Sequence, residues 1–363
     1  MRVVVIGAGV VGACVTLRLA QAGVDVVTLE AGLPASGTSG RSFAWLNAFR
    51  KTPREYFDLN FAGMREHAAL AAELGGTWLH WDGNFAVART EAEQAELRAT
   101  VDRLRSWGYE AELLTPGDAV SLEPELRLTL DAAVAHTPAE GWAEVAPLIH
   151  ACLHRAVRAH GASVRTGVEV IGFRQHGDRL AAAEIATAGG LEAVEADQFV
   201  VCAGIRSDEV LRLAGAELPL TRVPGFLAIT APVPTGLRHL CHLPGVHFRP
   251  DGGGRILLGT EIYAERQAAG ASPAEIAEAV RREAAEVLPA LELARIEALR
   301  FGVRPMPPDG VPMVGPVPGL ANAYVAVSHS AVTLGALYGR LVATELTGGH
   351  APELDPFRPD RRR

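Results

Sequence analysis

The sequence VVVIGAGVVG occupies residues 3–12 and decides the fold. Its first four residues are apolar without alternation, which is typical of a buried parallel strand. Glycines follow at 7, 9 and 12, and an apolar helical pattern then continues to Gly23, a residue type that commonly ends helices. A second apolar run, 24–29, leads to Glu30. The stretch therefore predicts a strand–helix–strand unit of about thirty residues.

The spacing of these glycines predicts a dinucleotide site. Gly7 permits a tight turn, Gly9 lets the backbone approach a pyrophosphate, and Gly12 lets the helix pack closely on the strand. Glu30 stands eighteen residues after Gly12, where a carboxylate accepts hydrogen bonds from both ribose hydroxyls and repels a 2′-phosphate. Such a unit holds either NAD or FAD, and these residues alone leave both open.

The next segment bears on that choice. Residues 35–42 read ASGTSGRS, a run of small and hydroxyl residues that suits a loop passing along a pyrophosphate toward an isoalloxazine ring. A solvated loop of the same composition remains the alternative. Trp45, Asn47 and Arg50 follow, and we expect them to face the pocket from the other side.

Composition narrows the class of protein. The chain has 363 residues, 48% hydrophobic and 21% charged, which suggests about two domains with a large core and excludes global disorder. Acidic residues exceed basic ones by 42 to 34, which argues against a dominant nucleic-acid or anionic-membrane surface. Lys51 is the single lysine, so a catalytic lysine would have to be that residue.

Cysteine usage and hydropathy favour a cytoplasmic protein. Four cysteines without a CxxC pair fit a reduced compartment and argue against a disulfide framework. No stretch approaches about 18 uninterrupted apolar residues, so we expect no transmembrane helix.

Farther along the chain, helical and strand patterns alternate. Capping-box spacing at Thr90 and Ser272 predicts two helix starts. Helices are predicted over 53–74, 90–107, 143–160, 273–288 and 331–346, and strands over 163–174, 180–188, 198–202, 222–231, 245–250, 255–261, 295–303 and 323–327. We expect a mixed α/β protein with a Rossmann-type cofactor domain (1–45, 143–215 and 300–363) interleaved with a sheet-rich substrate domain (46–142 and 216–299).

The chain resembles the FAD-dependent amine oxidase family that includes D-amino-acid oxidase, glycine oxidase and sarcosine oxidase. The resemblance covers nearly the whole chain. It rests on the unit 3–30, the loop 36–39, the strand and turn at 200–204 (VVCAG), and the segment 302–310 (GVRPMPPDG) with the helix that follows. The resemblance implies noncovalent FAD, because Met306, Pro307 and Pro308 stand where sarcosine-oxidase-type members attach the flavin through a cysteine.

The resemblance also assigns site residues. It implies that Val170 presents its backbone to the adenine, that Ala203-Gly204 passes beside the dinucleotide, and that residues 328–335 meet the pyrimidine edge of the flavin. Ala331 replaces a frequent glycine there. The cofactor-binding residues expected from motif and resemblance together are Gly7, Gly9, Val10, Val11, Gly12, Glu30, Ala31, Ser36, Gly37, Thr38, Ser39, Val170, Ala203, Gly204, Ser330, Ala331, Val332, Thr333 and Leu334.

Arg304 matches the arginine that pairs with the substrate carboxylate in glycine oxidase, and Pro305 holds it extended. A guanidinium binds a carboxylate through two parallel hydrogen bonds. Its alternative is a surface arginine in a proline-rich loop. The family's second carboxylate-binding arginine has no counterpart here, and Leu257 stands where sarcosine-oxidase-type members have a lysine over the flavin.

The remaining candidate residues also have ordinary structural explanations. His150 with His154, and His239 with Cys241 and His242, have the spacing of metal ligands but lack partners, so no metal site is predicted. The aromatic and histidine residues at 78, 80, 81, 247 and 248 line a substrate cavity or pack a sheet, and both readings stay open. We interpret the terminal residues 361–363 as a solvated tail.

The function implied is oxidation of the C–N bond of a small amino acid or N-substituted glycine to an imine, which hydrolyses to an oxo acid plus amine or ammonia. Oxygen or another acceptor would take the electrons. Two alternatives remain: a dehydrogenase that passes electrons to a carrier, quinone or partner subunit, and a flavin-binding assembly protein without turnover.

Overall fold

The computed structural model describes residues 1–361 of the chain. The predicted tail residues 362 and 363 lie outside this range. Arg361 does not form a solvated tail, because its guanidinium makes an ion pair with Asp309 at 2.8 Å.

Helices and strands alternate along the described chain. The helices are α1 (Val10–Gln21), α2 (Arg54–Leu74), α3 (Glu91–Ser106), α4 (Pro116–Leu122), α5 (Val145–His160), α6 (Ser207–Leu213), α7 (Tyr263–Ala268), α8 (Pro273–Ala285) and α9 (Ala331–Leu346). The strands are β1 (Arg2–Ile6), β2 (Asp25–Glu30), β3 (Trp45–Leu46), β4 (Leu79–His80), β5 (Asn84–Ala88), β6 (Glu112–Leu114), β7 (Ala133–Thr137), β8 (Gly141–Ala143), β9 (Ser163–Thr166), β10 (Glu169–His176), β11 (Arg179–Thr187), β12 (Gly190–Glu195), β13 (Gln198–Val201), β14 (Thr221–Thr230), β15 (Leu240–Leu243), β16 (Val246–Pro250), β17 (Ile256–Thr260), β18 (Ile296–Met306), β19 (Met313–Pro316) and β20 (Ala323–Val327).

A six-stranded sheet carries the glycine motif. Its order is β19-β20-β13-β1-β2-β9, and all neighbours are parallel except β19 and β20. Alternate residues of β1 enter two cores: Val3 and Val5 pack with α1, α5 and α9, whereas Val4 and Ile6 pack with the antiparallel sheet β10-β11-β12. Burial on both faces explains the unbroken apolar run.

The second large sheet has eight strands in the order β18-β14-β17-β16-β15-β5-β7-β6. Phe226 and Phe248 lie in a core that includes Ile276 and Val280 of α8. Leu227 and Leu257 point to the opposite face, where Phe43 packs against them. A small sheet, β3-β8-β4, completes the set.

The mixed α/β class and both predicted capping boxes are confirmed. The side chains of Thr90 and Ser272 each accept a hydrogen bond from the third backbone amide of their helix. The side chains of Glu93 and Glu275 in turn accept hydrogen bonds from the backbone amides of Thr90 and Ser272. Strands of the six-stranded sheet come from 2–30, 163–201 and 313–327, and those of the eight-stranded sheet from 84–137 and 221–306. The particular domain bounds stay a prediction.

Candidate active site

A cavity of about 1110 Å³ begins at the carboxyl ends of β1 and β2 and extends to the eight-stranded sheet. Ligands of open parallel sheets bind at this edge of the strands. Pockets for small molecules typically measure roughly 300–1,000 Å³, so this cavity exceeds that range. We call the part around Gly7, Glu30 and Val170 the dinucleotide end, and the part around Glu261, Arg304 and His329 the substrate end.

Backbone contacts define the dinucleotide end. Gly7 has φ +104°, and a methyl group there would lie 2.6 Å from the carbonyl oxygen of Cys202. A methyl group on Gly12 would lie 1.9 Å from the carbonyl oxygen of Gly7. Both positions therefore require glycine, and together they bring the N-terminus of α1 against the end of β1.

Polar groups gather where α1 begins. Glu30 accepts hydrogen bonds at 2.8 Å from the backbone amides of Ala8 and Gly32. The hydroxyl of Ser39 accepts one at 3.1 Å from the amide of Val10, so the predicted loop reaches the helix N-terminus. Helix N-termini and fixed amides favour a bound anion. The glycine cradle, a carboxylate at the end of β2 and hydroxyls beside α1 fit an FAD molecule.

The predicted flavin loop is fastened to the strand that carries Arg304. The hydroxyl of Thr38 donates to the carbonyl oxygen of Val303 at 2.8 Å, and Arg41 donates to that of Phe301 at 3.3 Å. These two contacts join the cofactor loop to β18 next to Arg304.

Arg304 is partly buried and incompletely paired. One terminal nitrogen donates to the carbonyl oxygen of Pro224 at 3.2 Å, while the buried Nε has no hydrogen-bond partner among the described residues. Burial lowers the pKa of Arg304, and the nearby Glu261 carboxylate opposes that shift. The guanidinium lines the substrate end, where it has free donors to offer an anion.

An imidazole and a carboxylate face the same space. His247 Nδ1 lies 3.3 Å from Glu261 Oε1, and the ring meets Phe43 edge-on at 4.4 Å. Partial burial raises the pKa of Glu261, but His247 and the charge of Arg50 together lower it to about 2. Glu261 is therefore an anion at neutral pH.

A buried carboxylate positions residues 45–51 at the cavity. Glu140 accepts hydrogen bonds from the amides of Ala48 and Phe49 at 2.9 and 2.8 Å, and from Trp45 Nε1 at 3.0 Å. Burial raises its pKa to about 7, against the lowering effect of these amide hydrogen bonds and that of Tyr109. The segment that presents Asn47, Arg50 and Lys51 to the cavity is thus held from behind.

The first turn of α9 closes the cavity on another side. The hydroxyl of Thr333 donates to the carbonyl oxygen of Trp45 at 3.1 Å, and that of Ser330 lies 2.6 Å from the Tyr56 hydroxyl. His67 Nε2 donates to the carbonyl oxygen of Val332 at 2.6 Å. These contacts orient the amides of the helix N-terminus toward the cavity.

Nearly all the predicted site residues come together. Arg304 lines the cavity, as do the predicted cofactor residues except two: Gly12 and Leu334 do not line it. Gly12 packs against Gly7 behind the cradle. Leu334 lies in the hydrophobic core, and its amide is used by the Ser330 carbonyl inside the helix. Gly12 thus has the close-packing role that the glycine motif predicts, and contact of Gly12 and Leu334 with the cofactor stays a prediction.

The aromatic and histidine residues at 78, 80, 81, 247 and 248 lie in different surroundings. His247 lines the cavity, whereas Phe248 is buried in the core beneath β16. His80 stacks on Trp142 at 3.9 Å, and Trp78, His80 and Trp81 do not line the cavity. Trp78 is buried in the hydrophobic core, while Trp81 is partly exposed.

Sequence reasoning missed several lining residues. Glu261, Tyr56 and Lys51 line the substrate end, together with His329 of the predicted flavin segment 328–335. Burial lowers the pKa of the His329 imidazole, and the charges of Lys51 and Arg304 lower it further, although Lys51 is remote from His329 in sequence. A charged residue directly after the apolar run 256–260 was the one available signal for Glu261.

Comparisons with known proteins agree with this architecture. The model of the DAO family, described as FAD dependent oxidoreductase, matches residues 2–345. Glycine oxidase of Pseudomonas aeruginosa is 28% identical, with 98% of this chain and 97% of that protein covered. D-amino acid dehydrogenase of Methylobacterium nodulans is 26% identical, with 98% and 97% covered. The crystal structure of glycine oxidase from Geobacillus kaustophilus superposes with a TM-score of 0.87 at 26% identity, covering 100% of this chain and 99% of that one.

The chain belongs to the DAO family of FAD-dependent oxidoreductases. FAD is accordingly its cofactor, and the residues at the dinucleotide end fit that molecule. No helix within residues 1–361 is both long enough and apolar enough to cross a membrane.

Proposed function

We propose that this enzyme oxidises the C–N bond of small amino acids or N-substituted glycines to an imine, which water hydrolyses to an oxo acid plus amine or ammonia. The observation that carries the proposal is Arg304, a partly buried cation beside the cofactor loop whose Nε has no partner within residues 1–361. A planar guanidinium binds a carboxylate through parallel hydrogen bonds, and burial strengthens that attraction.

The two ends of the cavity bind different molecules, the cofactor and the substrate. Glu30, the amides near Gly9 and the hydroxyls of 36–39 hold the dinucleotide, and Val170, Ala203-Gly204 and the first turn of α9 complete its site. When bound, FAD supplies the acceptor for the hydride that leaves the carbon bearing the amine. Arg304 binds the carboxylate and fixes that carbon in position. Glu261 with His247 faces the amine.

Apolar groups support the same chemistry. Phe43, Phe226 and Leu227 line the substrate end and exclude water from it. Exclusion of water strengthens the pairing of charges and protects the imine until the product leaves.

Anaerobic bleaching of the flavin tests the proposal. We expect glycine, N-methylglycine or a D-amino acid to bleach it, and the matching amines without a carboxylate, methylamine and dimethylamine, to do so poorly. Equal bleaching by methylamine would contradict a carboxylate-binding site. If no amine bleaches the flavin, the chain lacks this activity and the non-catalytic alternative holds.

The electron acceptor follows from a second measurement on the same protein. Hydrogen peroxide released in air would assign oxygen, and reduction of a quinone or dye without peroxide would assign a dehydrogenase. We also propose a cytoplasmic location, which the four buried free cysteines support.

A further inference from the structure

The substrate end contains more cations than one carboxylate can neutralise. Arg50, Lys51 and Arg304 line the cavity together with the carboxylate of Glu261, while Asp309, which also lines it, pairs with Arg361 at 2.8 Å. His242, which also lines this space, is uncharged, because burial and the neighbouring His247 and Arg50 hold its pKa well below its usual range. A substrate with one carboxylate, bound at Arg304, would leave two cations facing one anion.

Arg50 and Lys51 form no ion pair in the described part of the chain, although the charge of Arg50 acts on Glu261. Neither makes an ion pair or a side-chain hydrogen bond, and Lys51 Nζ lies 5.6 Å from the centre of the Tyr56 ring. Arg54, three residues later, pairs with Asp58 at 2.8 Å. Arg50 and Lys51 differ from Arg54 in lining the cavity and in lacking such a pair among the described residues.

The backbone that carries these two cations is held in place. Glu140 binds the amides of Ala48 and Phe49 directly before Arg50, and the amide of Lys51 donates to the carbonyl oxygen of Ala48 at 3.2 Å. A ligand that binds an unpaired charge on a fixed backbone loses less free energy to ordering of that backbone.

The charges surround one space. Arg50 acts on Glu261, and Glu261 acts on Arg304. Arg304 and Lys51 both act on His329. Glu261, at the end of β17, thus interacts with a cation of the segment 45–51 and with one of β18, and all of these residues line the same cavity.

We propose that the preferred substrate carries two carboxylates, one bound by Arg304 and the other by Arg50 and Lys51, with its ammonium group facing Glu261. This inference rests on the proposed function and names its substrate class: an amine between two carboxymethyl groups, or an amino acid with an acidic side chain. Each charge on such a molecule meets an opposite charge in the cavity.

Two shape-matched pairs of compounds test the proposal by anaerobic flavin reduction. Iminodiacetate is compared with N-isobutylglycine, and aspartate with leucine in both enantiomers, since a carboxylate replaces an isopropyl group of similar size in each pair. We expect the dicarboxylate of at least one pair to have a kcat/KM about 10- to 100-fold higher, the range of a charge-assisted pair. The pair that responds identifies whether the second carboxylate is attached through nitrogen or through the α-carbon.

Variants assign the preference to residues. Arg50→Gln and Lys51→Gln should each lower the ratio of dicarboxylate to monocarboxylate kcat/KM by about tenfold. Arg54→Gln removes the same charge outside the cavity, and it should leave the ratio unchanged. A preference that survives in both variants overturns the assignment to Arg50 and Lys51.

Because Lys51 is the single lysine, acylation of amines provides a readout that does not depend on turnover. Iminodiacetate or aspartate should slow acylation of Lys51, measured by mass spectrometry, more than the isopropyl partner does. Equal kcat/KM within both pairs with equal protection overturns this inference while leaving the proposed function intact. Absence of flavin bleaching by every compound, glycine included, rejects both.

Discussion

The two ends of the cavity are built differently. At the dinucleotide end, the backbone determines the shape of the site, because Gly7 and Gly12 leave no room for a methyl group and amides face the cavity. At the substrate end, charged side chains from separate elements meet: Arg50 and Lys51 follow β3, Glu261 follows β17, and Arg304 lies on β18. Added bulk should damage the first end, and removed charge should damage the second.

The largest expected effect concerns attachment of the cofactor. Met306, Pro307 and Pro308 offer no nucleophile, and burial raises the pKa of Cys202, a thiol that lines the cavity, to about 12. A protonated thiol is a poor nucleophile. Acid or heat denaturation should release essentially all the yellow colour as FAD, measured by absorbance of the supernatant. Colour that stays with the denatured pellet would contradict noncovalent binding.

Gly12→Ala tests the backbone-built end. Its methyl group would lie 1.9 Å from the carbonyl oxygen of Gly7, so α1 must move away from β1. We expect a loss of about 3 kcal/mol in the free energy of unfolding, the upper part of the usual range for overpacking, together with poor FAD retention. Denaturant unfolding and bound-flavin content measure both effects.

Gly117→Ala is the matched control for this substitution. It lies in the first turn of α4, where the nearest atom to the new methyl group is 3.8 Å away. Because alanine favours helix more than glycine does, this variant should be as stable as the parent or slightly more so. Equal stability of Gly12→Ala and the parent would show that the close contact at Gly12 is wrong.

Glu140 holds the segment 45–51 at the cavity, and its effect on stability should depend on pH. Its pKa is raised from 4.5 to about 7 in the folded protein, so the folded chain binds more protons than the unfolded chain between these values. Its contribution to stability is therefore present below about pH 4.5 and falls as pH rises toward about 7, by on the order of 3 kcal/mol.

The comparison of the parent with Glu140→Gln isolates this contribution. Buried His67, whose pKa is lowered to about 4, changes stability in the opposite direction but equally in both proteins. The free energy of unfolding of the parent should therefore fall relative to that of Glu140→Gln as pH rises from 5 to 8. Urea unfolding of both proteins at each pH measures this change. A difference independent of pH would reject the raised pKa.

Glu30→Ala should have the smallest of these effects. It removes the acceptor of the Ala8 and Gly32 amides together with the proposed acceptor of the ribose hydroxyls. FAD affinity, measured by titration of the apoprotein, should weaken by about 1–3 kcal/mol. Glu169→Ala, at an exposed carboxylate that also lines the cavity, controls for loss of negative charge. Unchanged affinity in Glu30→Ala would mean that the register of the glycine motif is wrong.

Local patterns predicted the first end well. The strand–helix–strand unit, the capping boxes and α9 with its bounds 331–346 depend on residues that are near one another in sequence, and the structure agrees with them. Such patterns do not give the direction of a side chain, as at Leu334 in the first turn of α9, which lies in the core.

The second end was predictable only in part. Arg304 could be named because residues 302–310 form a distinctive segment, although β18 continues to Met306, beyond its predicted end at 303. The approach of His247 to Glu261 depends on the antiparallel register of β16 with β17, which pairs His247 with Gly259. Lys51 reaches the cavity because Glu140, about ninety residues away, holds its segment. Such long-range pairings leave little local signal in a single sequence.

The account depends most directly on Arg304 as the carboxylate-binding residue. Methoxyacetate, in which an oxygen replaces the amine of N-methylglycine, is a carboxylate that cannot be oxidised in the same way and whose binding can be followed by the flavin spectrum. Its Kd should be measured for the parent, Arg304→Ala, Arg304→Lys and, as control, Arg300→Ala on the same strand. We predict that Arg304→Ala raises Kd by roughly 30-fold or more, since truncating one member of a buried charge pair costs about 2–5 kcal/mol. Arg304→Lys should recover part of this loss, and Arg300→Ala should bind like the parent. Equal Kd values in the parent and Arg304→Ala at full FAD content would contradict the account.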